Sequence, residues 1–137
     1  MSNRIRNMRS TLSIPKGDLH DVFMALREAR LPPDGWASPR EVARALGLKD
    51  LFHAWGHTPK FDTQGNITAL YLNWEGYDEA TMSALYNTLG PFVLAGNVQG
   101  FMDEYGNHWR WEYNGTTAVR QTGRVVYEND PIPSTTK

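Results

Sequence analysis

The segment His108 to Tyr113 (HWRWEY) alternates aromatic and polar residues without a break. Successive side chains of a β-strand point to opposite faces, so Trp109, Trp111 and Tyr113 share one face of a sheet. Each ring can remove about 150 to 250 Å² from water, and a face that carries three of them requires a covering layer. The sequence therefore predicts an antiparallel sheet whose aromatic face is the floor of the core. Its opposite face is expected to stay open to solvent or to a partner.

Helical spacing of apolar residues marks the N-terminal half instead. An apolar stripe begins after Asp18 and ends before two consecutive prolines, which predicts a first helix. The capping box SPRE at Ser38 opens a second helix, which Gly47 is expected to end in a left-handed conformation. A third helix follows and stops at Gly56. Residues 16–56 are therefore predicted to form a helical part with three helices.

From residue 57 onward, short alternating runs are separated by turn residues. They predict a hairpin through Thr63 to Asn66, a fourth helix opened by Asp78, and a meander of three strands with a bulge at Gly123. The predicted fold class is α+β, with N-terminal helices followed by an antiparallel sheet on which one further helix packs.

The length of the chain limits its domain organisation. It has 137 residues, of which 40% are hydrophobic, and this is enough for one core and too little for two ordinary domains. We expect a single domain over residues 1–137. Its predicted parts are a basic arm (1–15), the helical part (16–56), an α+β part (57–128) and a flexible tail (129–137).

Composition excludes several classes of protein and of site. The chain has no cysteine, so it has no disulfide, no thiolate nucleophile and no cysteine-based metal site. Its apolar runs are only a few residues long, so no membrane segment is expected, and no leader-like stretch follows the basic N-terminus. These features predict a cytoplasmic protein without membrane contact.

Histidines and carboxylates are the candidate chemical groups. His53 and His57 are four residues apart, but a glycine between them interrupts the helix on which they would share a metal ion. His108, Arg110 and Glu112 share one strand face, where cross-strand charge pairing also accounts for them. The sequence contains no nucleophile elbow, phosphate-binding loop or dinucleotide fingerprint. We therefore expect no catalytic residue, no metal and no cofactor.

The segment Ser38 to Trp55 (SPREVARALGLKDLFHAW) resembles the helix-turn-helix of MerR-type regulators, in which a capped helix with the pattern EVAxxLG leads into a second helix. The resemblance implies that Leu48 to Trp55 is a recognition helix and that the segment after it is a small wing. Lys49 and His53 are the polar contacts that this helix offers to nucleic acid. A helix pair used only for packing accounts for the same pattern.

Charge is uneven along the chain, with a net of +4 over residues 1–60 and −5 over residues 61–137. Such asymmetry can indicate a nucleic-acid-facing portion, and it also occurs in solvated arms. The alternative function is therefore nucleic-acid binding through the basic arm and the helix-turn-helix-like half. Its candidate residues are Arg4, Arg6, Arg9, Lys16, Lys49 and His53.

A wider pattern runs from residue 52 to residue 128: FxxWGHxxxFDxxGNI, then GPFVxxG, then YGNHWRWEYNG. It is similar to a family of small uncharacterised proteins of bacteriophages and bacterial mobile elements that carry a C-terminal GxxWRW hairpin. The resemblance implies a shared fold and, for a phage-encoded chain, the host cytoplasm as location and a host protein as partner.

The sequence thus favours a non-enzymatic binding protein that occupies a surface of a host protein, with its oligomeric state left open. The open sheet face is the expected interface, because it mixes charges with aromatic residues. Phe101 is out of phase with Val98, Gly100 and Met102, so, unless a bulge shifts the register, we expect it to face away from the tryptophans and to form the interface centre with Arg110. The alternative is that the N-terminal helices cover this face, which makes Phe101 an ordinary core residue. The interface candidates are Phe101, Arg110, His108, Glu112, Gln99, Gln121 and Tyr127.

Overall fold

In the computed structural model, residues 5–73 and 78–123 are described. They form the strands β1 (Arg6–Ser10), β2 (His57–Phe61), β3 (Ile67–Leu72), β4 (Val98–Met102), β5 (His108–Tyr113) and β6 (Ala118–Gly123), and the helices α1 (Leu19–Glu28), α2 (Pro39–Arg44), α3 (Leu48–Ala54) and α4 (Glu79–Leu89). The predicted α+β class is confirmed. The predicted tail, residues 129–137, lies outside the described residues. No helix within the described ranges has the length and apolar character needed to cross a bilayer.

The strands form two antiparallel sheets. β1, β4, β5 and β6 pair in that order, and β2 and β3 form a separate hairpin. A bridge between Ile14 and Ile67 joins this hairpin to the chain that follows β1. Ser10 and Gln99 of the larger sheet also bond to the backbone of Leu70 in the hairpin. Ser10 Oγ accepts from Leu70 N at 2.9 Å, and Gln99 Nε2 donates to Leu70 O at 3.1 Å. The hairpin and the larger sheet are therefore held together by buried polar contacts as well as by apolar packing.

β1 is the largest departure from the predicted organisation. The prediction of a loose basic arm over residues 1–15 is wrong for the residues of that range that the structure describes. Arg6–Ser10 pairs antiparallel with β4, and Leu12 and Ile14 are buried in the core. The segment RNMRS lacks alternating apolar residues, so its pattern does not predict a strand. It forms one because it pairs with backbone groups of β4 that would otherwise lie unpaired at a sheet edge.

The predicted alternation of β5 is confirmed. Trp109, Trp111 and Tyr113 are buried, and Arg110 between them is exposed. α4 packs on this aromatic face and inserts Tyr86, whose ring centroid lies 5.1 Å from that of Trp111. α1 in turn packs against α4 and α3. The helices therefore seal the face of the sheet that carries the rings.

Local signals set the helix ends. Ser38 Oγ accepts a hydrogen bond from Glu41 N at 3.4 Å, and Asp78 caps α4 in the same way, as predicted. The prediction that Gly47 ends α2 in a left-handed conformation is wrong. α2 ends before Gly47, and Gly47 has an extended φ of −152° and directly precedes α3. Gly56 has a φ of +80° and follows the end of α3, as its position in the sequence predicts.

The same turn occurs twice, in the sequences DTQGN (62–66) and DEYGN (103–107). In each loop the aspartate Oδ1 accepts from the backbone N–H groups two and four residues later at 2.9 Å, and the asparagine side chain donates to Oδ2. These bonds, above all those from the asparagine side chains, lower the pKa of Asp62 and of Asp103. The hairpins β2–β3 and β4–β5 are thus closed by the same hydrogen-bonded loop.

Candidate functional site

The outer face is the face of the four-stranded sheet opposite the aromatic core. Residues paired across neighbouring strands share a face, and Arg110 pairs with Gly100 on one side and with Gln121 on the other. Gly100 in turn pairs with Arg9, so these four residues form one row across the sheet. The outer face consists of Arg6, Arg9, Val98, Gly100, Met102, His108, Arg110, Glu112, Val119, Gln121 and Gly123.

Positive charge dominates the outer face. Arg6, Arg9 and Arg110 are exposed, and Glu112 is its acidic residue. Within the described residues Arg6 and Arg9 form no ion pair, and Nη2 of Arg110 lies 4.0 Å from Oε1 of Glu112. This arrangement does not follow from the sequence, because the pattern around Arg6 and Arg9 predicts a loose arm and not a strand. The sequence feature that could have indicated a special arrangement at this position is Gly100, a glycine in the middle of a strand.

Arg110 is oriented by its neighbours on β5 and β6. Its Nε donates to Gln121 Oε1 at 2.6 Å, and Gln121 Nε2 donates to Glu112 Oε1 at 2.9 Å. The side chain of Arg110 is still 50% exposed. These bonds hold the guanidinium group beside Gln121 and Glu112, and Nη2 of Arg110 lies 4.0 Å from Oε1 of Glu112.

His108 completes the outer face of β5 and is half-buried. It pairs in register with Gly123, so β6 is regular from Ala118 to Gly123, and the chain beyond the predicted bulge at Gly123 lies outside the described residues. His108 contributes to lowering the pKa of Asp103, in the loop before β5. The hydrogen bonds of the described residues do not link His108 to Arg110 or Glu112, so the three form no proton relay there.

Phe101 and Gln99 do not belong to the outer face, and the prediction that placed them there is wrong. Phe101 pairs with Trp109 and Gln99 pairs with Trp111, which puts all four on the inner face. Phe101 is 1% exposed, and its ring stacks on that of Trp109 with centroids 6.2 Å apart. Gln99 is completely buried. The apolar neighbours of Phe101 on its own strand do not mark the core side, because the register with β5 decides which side of β4 is buried.

The other predicted site residues lie in several places. Arg6 and Arg9, taken as nucleic-acid contacts, lie on the outer face with the interface candidate Arg110, so the structure brings parts of both sets together. Lys16 lies beside the β2–β3 loop, where its backbone N donates to a side chain of that loop at 2.8 Å. Arg4 and Tyr127 lie outside the described residues.

Lys49 and His53 are exposed on α3. α2, α3 and the β2–β3 hairpin follow one another in the order that the helix-turn-helix resemblance implies. A cleft of about 190 Å³ between α3 and β2 is lined by both residues and by Asp50. The exposed side of α3 therefore offers one lysine, one histidine and one acid, and it is a weaker anion-binding surface than the outer face.

His57 is fully buried and engaged at both ring nitrogens. Its Nδ1–H donates to Trp55 O at 2.9 Å, so Nε2 accepts from Tyr86 OH at 2.6 Å. Burial lowers the pKa of His57 to about 4, so the ring is neutral at pH 7. Within the described residues no group of three His, Asp or Glu side chains could hold a metal ion. His57 therefore links β2 to α4 as a structural residue.

Comparisons with protein-family models, with curated proteins and with solved structures gave no match to this chain. Function is therefore inferred from the chemistry of the outer face, and the resemblances seen in the sequence stay predictions.

Proposed function

We propose that this protein is a non-enzymatic binding protein and that the outer face of its four-stranded sheet occupies a surface of a host protein. The observation that carries the proposal is the set of exposed arginines on that face, Arg6, Arg9 and Arg110. A phage or mobile-element origin, as the GxxWRW resemblance implies, makes a protein of the host cytoplasm the expected partner.

The outer face is part of a rigid platform. On the inner side of the same strands, Phe101 and Trp111 lie with ring centroids 5.8 Å apart, and Tyr86 of α4 contacts both rings. Such interlocked packing holds the strands in one arrangement. A surface that is ordered before binding loses little conformational entropy when a partner docks, which favours affinity.

The mixture of charges suits a protein partner better than nucleic acid. The side chain of Glu112 is 37% exposed and lies within 4.0 Å of Arg110, where it would repel a phosphate chain. A protein partner can place a basic side chain opposite Glu112 and an acidic one opposite the arginines. Apart from His108, the outer-face residues of the described strands include no aromatic ring on which a base could stack.

The proposal is tested by reversing one charge on the outer face. A partner is captured from host lysate, identified and purified, and its affinity is then measured by calorimetry. Arg110→Glu should weaken binding at least about tenfold, because arginine contacts dominate interfaces of this kind. Lys60→Glu makes the same charge change at an exposed position of β2 and should leave the affinity within about twofold. A partner that binds wild type and Arg110→Glu equally well would exclude the outer face.

A second candidate function is nucleic-acid binding through α2, α3 and the β2–β3 hairpin. The observation that favours it is the order of these elements together with the exposure of Lys49 and His53 on α3. In a gel shift with mixed-sequence duplex DNA, affinity should fall steeply between about 50 and 200 mM salt, and Lys49→Glu should weaken it further. Absence of a shift at the lower salt concentration excludes this function.

A further inference from the structure

We propose that Asn114, in the turn between β5 and β6, is a site at which the folded protein modifies itself. The backbone nitrogen of Gly115 attacks the side-chain amide of Asn114, ammonia is released, and the resulting succinimide is hydrolysed to aspartate or isoaspartate. Water is the only co-reactant. The reaction is independent of the binding proposed for the outer face.

The residue after Asn114 leaves the attacking nitrogen accessible. Asn114 is the only asparagine of the chain that precedes a glycine. Both residues are exposed, and a Cβ at Gly115 would meet no atom within 4 Å. Glycine has no side chain that hinders the approach of its nitrogen, and it adopts the φ of +93° found here without strain. Water and hydroxide therefore reach this peptide unit from open space.

Hydrogen bonds of the turn fold the side chain of Asn114 back over the backbone. Thr116 N donates to Asn114 Oδ1 at 3.0 Å, and Thr117 N donates to the same oxygen at 2.8 Å. The first of these bonds closes an Asx turn, a ring of atoms that includes both Cγ of Asn114 and N of Gly115. The carbon that is attacked and the nitrogen that attacks it are thus held within one small ring.

The same two hydrogen bonds stabilise the charge that develops during the attack. When Gly115 N adds to Cγ, Oδ1 becomes an oxyanion, and two backbone N–H groups already point at this oxygen. Donors placed in advance at a developing oxyanion are the arrangement of an oxyanion hole. The N–H of Gly115 has no acceptor among the hydrogen bonds of the described residues, so a solvent base can remove its proton.

The atoms of the reaction balance with water alone. Hydroxide takes the proton of Gly115 N, the bond from this nitrogen to Asn114 Cγ forms, and the Cγ–Nδ2 bond breaks. Nδ2 takes a proton from water and leaves as ammonia. A second water opens the ring: cleavage between Cγ and the nitrogen gives aspartate, and cleavage of the original peptide bond gives isoaspartate.

The two products differ in their effect on the turn. An aspartate carboxylate can accept the same two backbone N–H groups, and its charge strengthens these bonds. Isoaspartate inserts one methylene group into the main chain, which displaces the bond of 3.0 Å from Asn114 N to Thr117 O. The aspartate form therefore keeps the β5–β6 hairpin, and the isoaspartate form disturbs its end.

Asn97 is an internal control with the opposite geometry. Its Nδ2 donates to Leu94 O at 3.0 Å, and the N–H group that would have to attack, that of Val98, donates to Thr11 Oγ1 at 3.0 Å. Attack at Asn97 requires both bonds to break and brings in a β-branched residue. We therefore expect Asn97 to stay intact where Asn114 is converted.

The test follows the conversion by peptide mapping with mass spectrometry. The full-length protein and the capped peptide EYNGTTA, which has the same residues without the folded turn, are incubated side by side at pH 7.5. Asn114 should be converted in the folded protein at least as fast as in the peptide, and Asn97 should remain asparagine. Slower conversion in the folded protein than in the peptide overturns the proposal, because the turn then protects Asn114.

Variants identify the attacking nitrogen. Gly115→Ala should slow the conversion at least about tenfold, because its methyl group hinders the nitrogen and disfavours the positive φ. Gly96→Ala is the matched control, since Gly96 also has a φ of +93° and open space at its Cβ, and it should keep the wild-type rate. A wild-type rate in Gly115→Ala, or equal slowing in Gly96→Ala, overturns attack by Gly115. Asn114→Asp should keep the wild-type melting temperature, and a lower one contradicts an aspartate that retains the turn.

Discussion

Protonation of His57 should destabilise the fold as the pH falls. The Nε2 atom of His57 accepts a hydrogen bond from Tyr86 OH, so a proton on Nε2 removes that bond and places a charge inside the aromatic core. Burial lowers the pKa from 6.5 to about 4 in the folded protein. The unfolded chain therefore binds more protons than the folded chain between these two values, and the free energy of unfolding decreases as the pH drops through this window.

The magnitude of this effect follows from the pKa difference. A shift from 6.5 to about 4 is worth about 3 kcal/mol, since each unit corresponds to about 1.4 kcal/mol. The contribution is present in full above pH 6.5, falls by about 2 kcal/mol between pH 7 and pH 4.5, and is lost below pH 4. The lowered pKa values of Asp62, Asp78 and Asp103 start from 3.8, so these carboxyl groups titrate below this window.

Urea unfolding of wild type and His57→Gln between pH 4.5 and pH 7.5 measures the effect. His57→Gln should be less stable at pH 7, because the amide does not reproduce the two hydrogen bonds of the ring. Its loss of stability from pH 7 to pH 4.5 should be smaller than that of wild type by about 2 kcal/mol. His20→Gln, which replaces an exposed histidine of α1, should keep the wild-type pH dependence. Equal pH dependence of wild type and His57→Gln would refute a neutral, buried His57.

Trp111→Ala should lower the free energy of unfolding by about 3 to 5 kcal/mol and Arg110→Ala by less than about 1 kcal/mol, and the reverse order in urea unfolding would contradict the two faces of β5. Phe101→Ser should lose at least about 3 kcal/mol, so a wild-type melting temperature would contradict its core position. Deleting residues 1–10 removes β1 and should lower the melting temperature; an unchanged value would show that β1 contributes nothing to stability. Tyr113→Phe should be as stable as wild type or about 1 kcal/mol more stable, because the buried hydroxyl has no hydrogen-bond partner among the described residues, and a clear loss in urea unfolding would argue against this.

The parts of the fold that depend on residues close together in the chain could be predicted from the sequence. The alternation in HWRWEY predicts which side chains of β5 are buried, because successive side chains of any strand point to opposite faces. Ser38 and Asp78 predict the starts of α2 and α4, because a capping side chain bonds to backbone N–H groups within one turn of itself.

The candidate site was predictable only in part. Arg110 and Glu112 follow from the alternation of β5 and lie on the outer face. The positions of Phe101 and Gln99 could not be predicted in this way, because the face of a β4 residue depends on which β5 residue lies opposite. Arg9 joins the site through β1, although 91 positions separate it from Gly100 in the chain.

Residue types and their spacing thus determined the helices, the turns and the buried side of β5, since these depend on interactions within a few residues. The tertiary structure alone decided that the polar segment Arg6–Ser10 is a strand, because backbone pairing with β4 does not require apolar side chains. It also decided that His57 is neutral, because desolvation depends on the elements that close around the ring. The pairing of Arg9 and Arg110 across Gly100 arises in the same way, from a register between strands that no local pattern encodes.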